Sequence, residues 1–372
     1  MAPVTTFDGP IAAGVRRDRP RTAVVHRNLD AWLIGGFSLL VFAVMYVSVD
    51  KGTAASQVTW AAFYLAFVVN GPHFFASYWH IYVDGRAKIF HDRRYFWAGV
   101  VVPILLVVGL LIGSQRPTDA TLGRMVSLMY LSVGWHYVKQ IFGVALVSSA
   151  AHGRPVIGWA KLALRINLLA IWLMSFVTTN DYKGGNVFYG VNYHSAGLPD
   201  WTRPTAYVIV AATAVVALGL QAAEWVRSGT SMALVGWVAW ATIYVWYLPV
   251  LVHQGFFYFV PFFHSLQYLM FSVTLSWNKS RDGKSVLADQ RARLRFIRRF
   301  GAFVVVSFVL GAAGFHWLPE WLDRNHAVRP DILGAAYWVV AFNLFINIHH
   351  YFVDNVIWRR TNDDIRTFLR PR

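Results

Sequence analysis

Apolar runs of about 20 residues, the length a helix needs to cross the hydrocarbon core of a bilayer, recur along this chain between short polar stretches. The runs predict helices over 31–49, 58–83, 96–112, 125–149, 159–177, 205–226, 232–252, 254–277, 301–318 and 332–358. The fifth carries Lys161 and Arg165 near its start, and Pro249 and His253 mark the break between the seventh and eighth. The expected fold is all-α: a polytopic transmembrane bundle of about ten helices, one domain over 31–358 between basic tails at 1–30 and 359–372.

Basic residues test that count, because cytoplasmic loops carry an excess of Lys and Arg and a wrong number of spans would scramble the alternation. Arg86, Lys88, Arg93 and Arg94 follow the second run, Arg154 and Lys161 the fourth, Arg227 the sixth, and the basic segment 279–299 the eighth. Together with Arg359, Arg360, Arg366, Arg370 and Arg372 they fall on one side, which places both termini in the cytoplasm. The long loop 178–204 on the other side is rich in Gly, Asn and Tyr and is expected to cap the bundle.

Composition agrees with the pattern. Of the 372 residues, 56% are hydrophobic, 16% aromatic and only 14% charged, a balance foreign to soluble domains. The formal charge of +16 would point to nucleic acid in a soluble chain. Here the basic residues lie between apolar runs, where topology and anionic lipid account for them, so no nucleic-acid partner is expected. With no cysteine, any metal must be held by nitrogen and oxygen.

Four of the apolar runs carry polar stripes at helical spacing. The second places Asn70, His73, Ser77, His80 and Asp84 on one face; the fourth, Ser132, His136, Lys139, Gln140 and Gly143; the eighth, His264, Gln267 and Tyr268, with His253 roughly in line. The last reads NLFINIHHYFVD and aligns Asn343, Asn347, His350 and Asp354, with His349 beside them. A lone histidine in a membrane helix more often bonds a neighbouring helix than binds a ligand, but four stripes at comparable depth point to one shared polar site. Lys139 is a candidate catalytic residue with Tyr268 and Asp354, or else it snorkels or pairs with Asp354. His91, His152, His316 and His326 lie in or beside loops and are assigned no role, whereas His194 in the long external loop could touch a ligand.

Several neutral imidazoles without thiolate suit Fe, Cu, Ni or Zn, and an open position on such a metal suits dioxygen or water. Asn, Gln, Tyr and Asp nearby would orient the rings through their other nitrogen. The expectation is a non-haem metal oxygenase, with Fe(2+) ahead of Cu or Zn, dioxygen as co-substrate and a lipid-soluble substrate entering from the bilayer.

The order of motifs resembles the bacterial Brp/Blh-type membrane β-carotene dioxygenases. The counterparts are GPHF at 71–74, WHYV at 135–138, FFHSLQY at 262–268 and HHYFVD at 349–354, spread over most of the chain. The resemblance implies a helical bundle in a bacterial inner (cytoplasmic) membrane in which His73, His136 and His264 bind iron and a carotenoid is cleaved. Tyr268 stands where the family has a second histidine, so His350, His349 or His80 would complete the metal set, with Tyr268 and Asp354 hydrogen-bonding behind it. Other readings are a two-iron desaturase or hydroxylase, to which only the His349–His350 pair corresponds, a transporter or proton relay using the buried His, Lys139 and Asp354, and a haem protein.

Overall fold

In the computed structural model the described residues are 23–26, 28–48, 53–115, 121–180, 186–193, 197–248, 259–281, 289–329, 336–359 and 361–369. They form an all-helical bundle with one two-stranded hairpin. The helices are α1 (Phe37–Ser48), α2 (Thr53–Tyr78), α3 (Arg93–Ser114), α4 (Leu122–Ala151), α5 (Gly158–Asn180), α6 (Thr202–Ser228), α7 (Leu234–Tyr247), α8 (Phe259–Arg281), α9 (Gln290–Asn325), α10 (Tyr337–Ile357) and α11 (Asp363–Phe368). Each of the ten apolar runs overlaps one of α1 to α10, although His253 and the break around Pro249 lie outside the described residues, as does His194.

Four helices, α3, α5, α6 and α9, contain stretches long and apolar enough to cross a membrane by length and composition alone. The four that carry the polar stripes, α2, α4, α8 and α10, are 26, 30, 23 and 21 residues long. Their His, Asn, Gln and Asp residues lower their hydropathy, so composition does not mark them. The division is structural as well. Ile104, Leu105, Val107, Val108 and Leu111 on α3 and Val208, Val215 and Val216 on α6 are exposed, as lipid-facing residues would be. The striped faces of the other four turn inward.

The chain departs from the expected boundaries at its basic end. The segment 279–299, expected as a loop, is partly helical: α8 runs on to Arg281 and α9 starts at Gln290, where the Asp289 carboxylate accepts from the amides of Arg291 and Ala292. The C-terminal stretch expected as a tail forms α11, capped by Asn362, and buries Ile365 and Leu369 against Leu275 of α8. The long loop 178–204 contains a hairpin, Asn186–Phe188 paired antiparallel with Val191–Tyr193, packed beside α3, α4 and α10.

Two contacts fix α2, the helix on which the site is hung. Where α2 crosses α9, a Cβ on Gly311 would lie 2.6 Å from the carbonyl carbon of Gly71, and one on Gly71 would lie 3.1 Å from that of Gly311. Backbones approach this closely in membrane bundles only where side chains are absent. Past α2, the buried Asp84 carboxylate meets Arg299 at 2.8 Å, His80 at 3.1 Å and Lys279 at 3.3 Å, tying α2 to α8 and α9. Burial alone would raise the Asp84 carboxyl, but the hydrogen bond to His80 and the charges of His80, Lys279 and Arg299 outweigh it and hold the group well below the usual carboxylate range. The carboxylate is therefore charged at neutral pH.

Gly311→Ala is expected to cost about 1–3 kcal/mol through overpacking. Gly301→Ala in the same helix, where a Cβ meets nothing within 4 Å, should be neutral or slightly stabilising. Thermal midpoints of the detergent-solubilised protein check this, and equal midpoints for the two variants contradict the close crossing. For Asp84 the sign follows from the depressed carboxyl: its stabilisation is present above the unfolded value of about 4 and is lost on acidification below it. Asp84→Asn should therefore lower the midpoint at pH 7, with the gap to the parent narrowing below about pH 4.

Candidate metal centre

Four helices each deliver one imidazole to one buried cluster, in which His264 meets His136 at the edge of a His73–His136–His350–Asp354 group. His73 comes from α2, His136 from α4, His264 from α8 and His350 from α10, all four buried, and Asp354 follows His350 by one turn on the same face. His136 Nε2 lies 3.2 Å from His264 Nε2 and 3.3 Å from His350 Nε2. Asp354 Oδ2 is 3.3 Å from His350 Nε2 and 3.7 Å from His136 Nε2. One ligating atom from each of His73, His136, His350 and Asp354 falls within 4.8 Å of all the others.

Hydrogen bonding alone does not account for this packing. A neutral ring nitrogen offers either one proton or one lone pair, so His136 Nε2 can bond one imidazole nitrogen and not two. A cation between the rings would satisfy the second contact. Ligands held at about 2.0–2.1 Å from one cation sit about 3.0–3.4 Å from each other, the spacing found here. His73 Nε2, His264 Nδ1 and His350 Nδ1 are also buried without a hydrogen-bond partner among the described residues.

The surroundings set the ligand form of His73. Ser265 Oγ donates its one proton to Asn70 Oδ1, so toward His73 Nδ1, 2.9 Å away, it can only accept. That places the proton on Nδ1 and leaves a lone pair on Nε2, the partnerless atom, which is how a second group selects the metal-binding tautomer. Asp354 is held in the same manner. Its Oδ1 accepts from Ser77 Oγ at 2.8 Å and from Tyr268 Oη at 2.9 Å, leaving Oδ2 to face the imidazoles. The Ser77 and Tyr268 hydroxyls touch each other, and Trp358 Nε1 donates to Tyr268 at 3.1 Å. Gln140 Nε2 donates to the His264 carbonyl at 3.1 Å and to Gln267 Oε1 at 2.8 Å, locking α4 to α8 beside the cluster.

The remaining candidates lie elsewhere. His80 is on the His73 face, but seven residues on it is about 10 Å farther along the axis. There its Nδ1 is 3.1 Å from Asp84 and its Nε2 2.8 Å from Ser272 Oγ, so both nitrogens are engaged. His349 is one residue from His350 and so turned by about 100°. It points at α3, where Nε2 donates to the Ala98 carbonyl at 2.9 Å and Nδ1 lies 3.2 Å from Tyr78 Oη. Lys139 Nζ donates to Asn355 Oδ1 and lies over the Trp135 ring, with the charge of Asp354 acting on it from farther off. Ser265 and Trp358 were not singled out by sequence. Ser265 adjoins His264 and so faces another helix, and Trp358 lies where belt tryptophans are expected.

A cavity of about 390 Å³ opens beside the cluster, lined at its inner end by His136, Tyr268 and Asp354 and along its walls by Trp135, Phe271 and Trp358. The donor set of imidazoles and one carboxylate fits a first-row divalent metal. Compared with protein-family models, with curated proteins and with solved structures, the chain matches none.

If this is the metal site, His73→Ala, His136→Ala, His264→Ala and His350→Ala should each abolish metal retention in protein that still inserts. Asp354→Asn should weaken it by roughly ten- to a hundredfold if Asp354 orients a ligand, and more if it binds directly. His80→Ala and His349→Ala should leave metal content unchanged. Elemental analysis of purified variants reads all seven, and loss of metal in the last two with retention in the first four would move the site.

Proposed function

We propose that the protein is a membrane-integral, histidine-ligated non-haem oxygenase that uses Fe(2+) and dioxygen on a lipid-soluble substrate. Carotenoid cleavage is the form of that activity implied by the likeness to Brp/Blh-type enzymes. The observation that carries the reading is the convergence of four imidazoles from four helices at the end of an apolar cavity. Iron bound there would supply the redox chemistry that activates dioxygen.

The chain's own residues supply the rest. Trp135, Phe271 and Trp358 give the cavity aromatic walls for an apolar substrate and exclude water from the site. Ser265 and Asn70 keep His73 in its ligand tautomer, and Ser77, Tyr268 and Trp358 keep one Asp354 oxygen directed at the imidazoles. The proposal includes ten membrane crossings, cytoplasmic termini and a bacterial inner-membrane location, supported by the apolar helices and the alternation of basic segments. A haem finds less support, since ring centroids 4.3–6.4 Å apart among His73, His136, His264, His350 and Tyr268 leave no slot for a macrocycle between them. For a two-iron desaturase, the metal-holding group found among the described residues is a single cluster.

The test is oxygen uptake by the purified, Fe(2+)-loaded protein in lipid nanodiscs, offered a panel of carotenoids and unsaturated lipids. Uptake that depends on substrate, places labelled oxygen in a product and disappears in His136→Ala is the expected result. Loaded protein that consumes no oxygen with any of them, while driving histidine-dependent proton or ion flux, overturns the proposal in favour of transport.

A further inference from the structure

The rim of the cavity carries charge that neither metal binding nor a hydrocarbon substrate requires. Lys139 of α4 and Arg359, just beyond α10, both line it. One residue holds both: Asn355 accepts from Lys139 Nζ through its side-chain oxygen and from Arg359 Nε through its carbonyl at 2.8 Å. Neither cation has an ion-pair partner among the described residues, and the nearby Asp354 is occupied by Ser77, Tyr268 and His350. The one carboxylate lining the cavity, Asp354, lies at its inner end among the imidazoles, so the two cations at the rim repel each other and are poised for an anion. Lys139 and Asn355 are exposed, so this is the open side of the cavity.

Behind the cations the walls are apolar. Val144, Val147, Phe271, Ile365 and Leu369 line the cavity, the last two contributed by α11 and the residue that ends it. Gly143 lines it too, and a Cβ built there meets nothing within 4 Å. A glycine inside a helix costs about 1 kcal/mol relative to alanine, and here its effect is to leave room. The volume of about 390 Å³ is at the small end of the range for single small-molecule ligands, which favours one chain over a diacyl lipid.

We infer that the cavity binds a single-chain amphiphile with an anionic headgroup, a carboxylate in the simplest case, whose charge is taken by Lys139 and Arg359 and whose apolar body lies along Phe271, Val147 and α11. This deepens the oxygenase reading, on which it rests for the identity of the bound molecule as substrate: the preferred substrate is an acidic lipid and not a neutral hydrocarbon. The headgroup lies one to two turns from the ligands, since Lys139 follows His136 by about 4.5 Å of helix rise and Arg359 follows Asp354 by about 7.5 Å.

The experiment is displacement of a fluorescent fatty acid, 11-(dansylamino)undecanoate, from the protein in neutral phosphatidylcholine nanodiscs, with metal content measured on the same samples. Oleate is expected to displace the probe at least tenfold more tightly than oleyl alcohol. The preference should fall severalfold in Lys139→Gln and in Arg359→Gln and vanish in the double variant, with the thermal midpoint showing that each is folded. Gly143→Leu, which fills the cavity and leaves the charges in place, should weaken oleate and the alcohol alike. Equal displacement by acid and alcohol in the parent protein overturns the inference, as does a preference that survives in the folded double variant. Displacement by phosphatidylglycerol in the discs but not by oleate also overturns it, because the cations then serve a lipid headgroup. An acid preference in protein that binds no metal leaves the anion site standing and removes the oxygenase reading, whereas metal-dependent oxygen uptake without acid preference does the reverse.

Discussion

A single nitrogen, His136 Nε2, sets the terms for the interior of this bundle. It has one bonding position and two imidazole neighbours at hydrogen-bond distance. In water the excess would be met by solvent; among buried apolar side chains an unmet polar contact costs on the order of a few kcal/mol. A cation at the point where the rings converge would resolve the conflict, and several features of the surrounding structure keep the rings converged. The Gly71–Gly311 crossing, the Asn70–Ser265–His73 chain and the Ser77–Tyr268–Asp354 contacts each remove a freedom that would let one ring turn away.

The same constraint explains how hydropathy is distributed. Helices bearing His, Asn, Gln and Asp are costly to expose to lipid and gain by facing one another. They occupy the centre, and α3, α6 and α9, each with a long apolar stretch, carry many of the exposed Leu, Val and Ile residues. A second polar knot does a separate job in the half of the bundle formed by α5, α6 and α7. There the buried Asn167 accepts from Trp240 and Tyr244 and donates to Thr213 and the Val210 carbonyl, so its amide is fully used. Satisfied networks of this kind fix helix register; the histidine cluster, by contrast, is left with open valences.

Much of this was legible in the sequence. A period of 3.6 is enough to put His73 with Ser77, His136 with Gln140, and His350 with Asp354, and the structure brings those faces together. Periodicity gives the face of a helix but not the depth, which is why His80, in line with His73, falls well away from the cluster against Ser272 and Asp84. The His349–His350 pair left the choice of inward ring open, and packing against Ala98 of α3 decided it. Ser265 was invisible because its role depends on a residue 192 positions away. The start of α9 was misplaced for a different reason: Arg291 to Arg299 breaks the apolar pattern without breaking the helix, since arginine is a good helix former and Asp289 caps it.

Arg359 shows where a rule of composition and a rule of chemistry compete for one residue. As one of a group of basic residues at the end of the last span it reads as a topology signal, and that reading needs nothing more specific than its charge. Its placement carries further information, because topology requires neither that it line a cavity nor that it share Asn355 with Lys139. An interfacial arginine with only a topological duty would extend its guanidinium toward phosphates and water. One fastened by its Nε to the carbonyl of Asn355 has given up part of that freedom, with no carboxylate partner among the described residues to offset the loss. An anion entering the cavity would be the compensating interaction at the rim, as the metal would be for the histidines farther in.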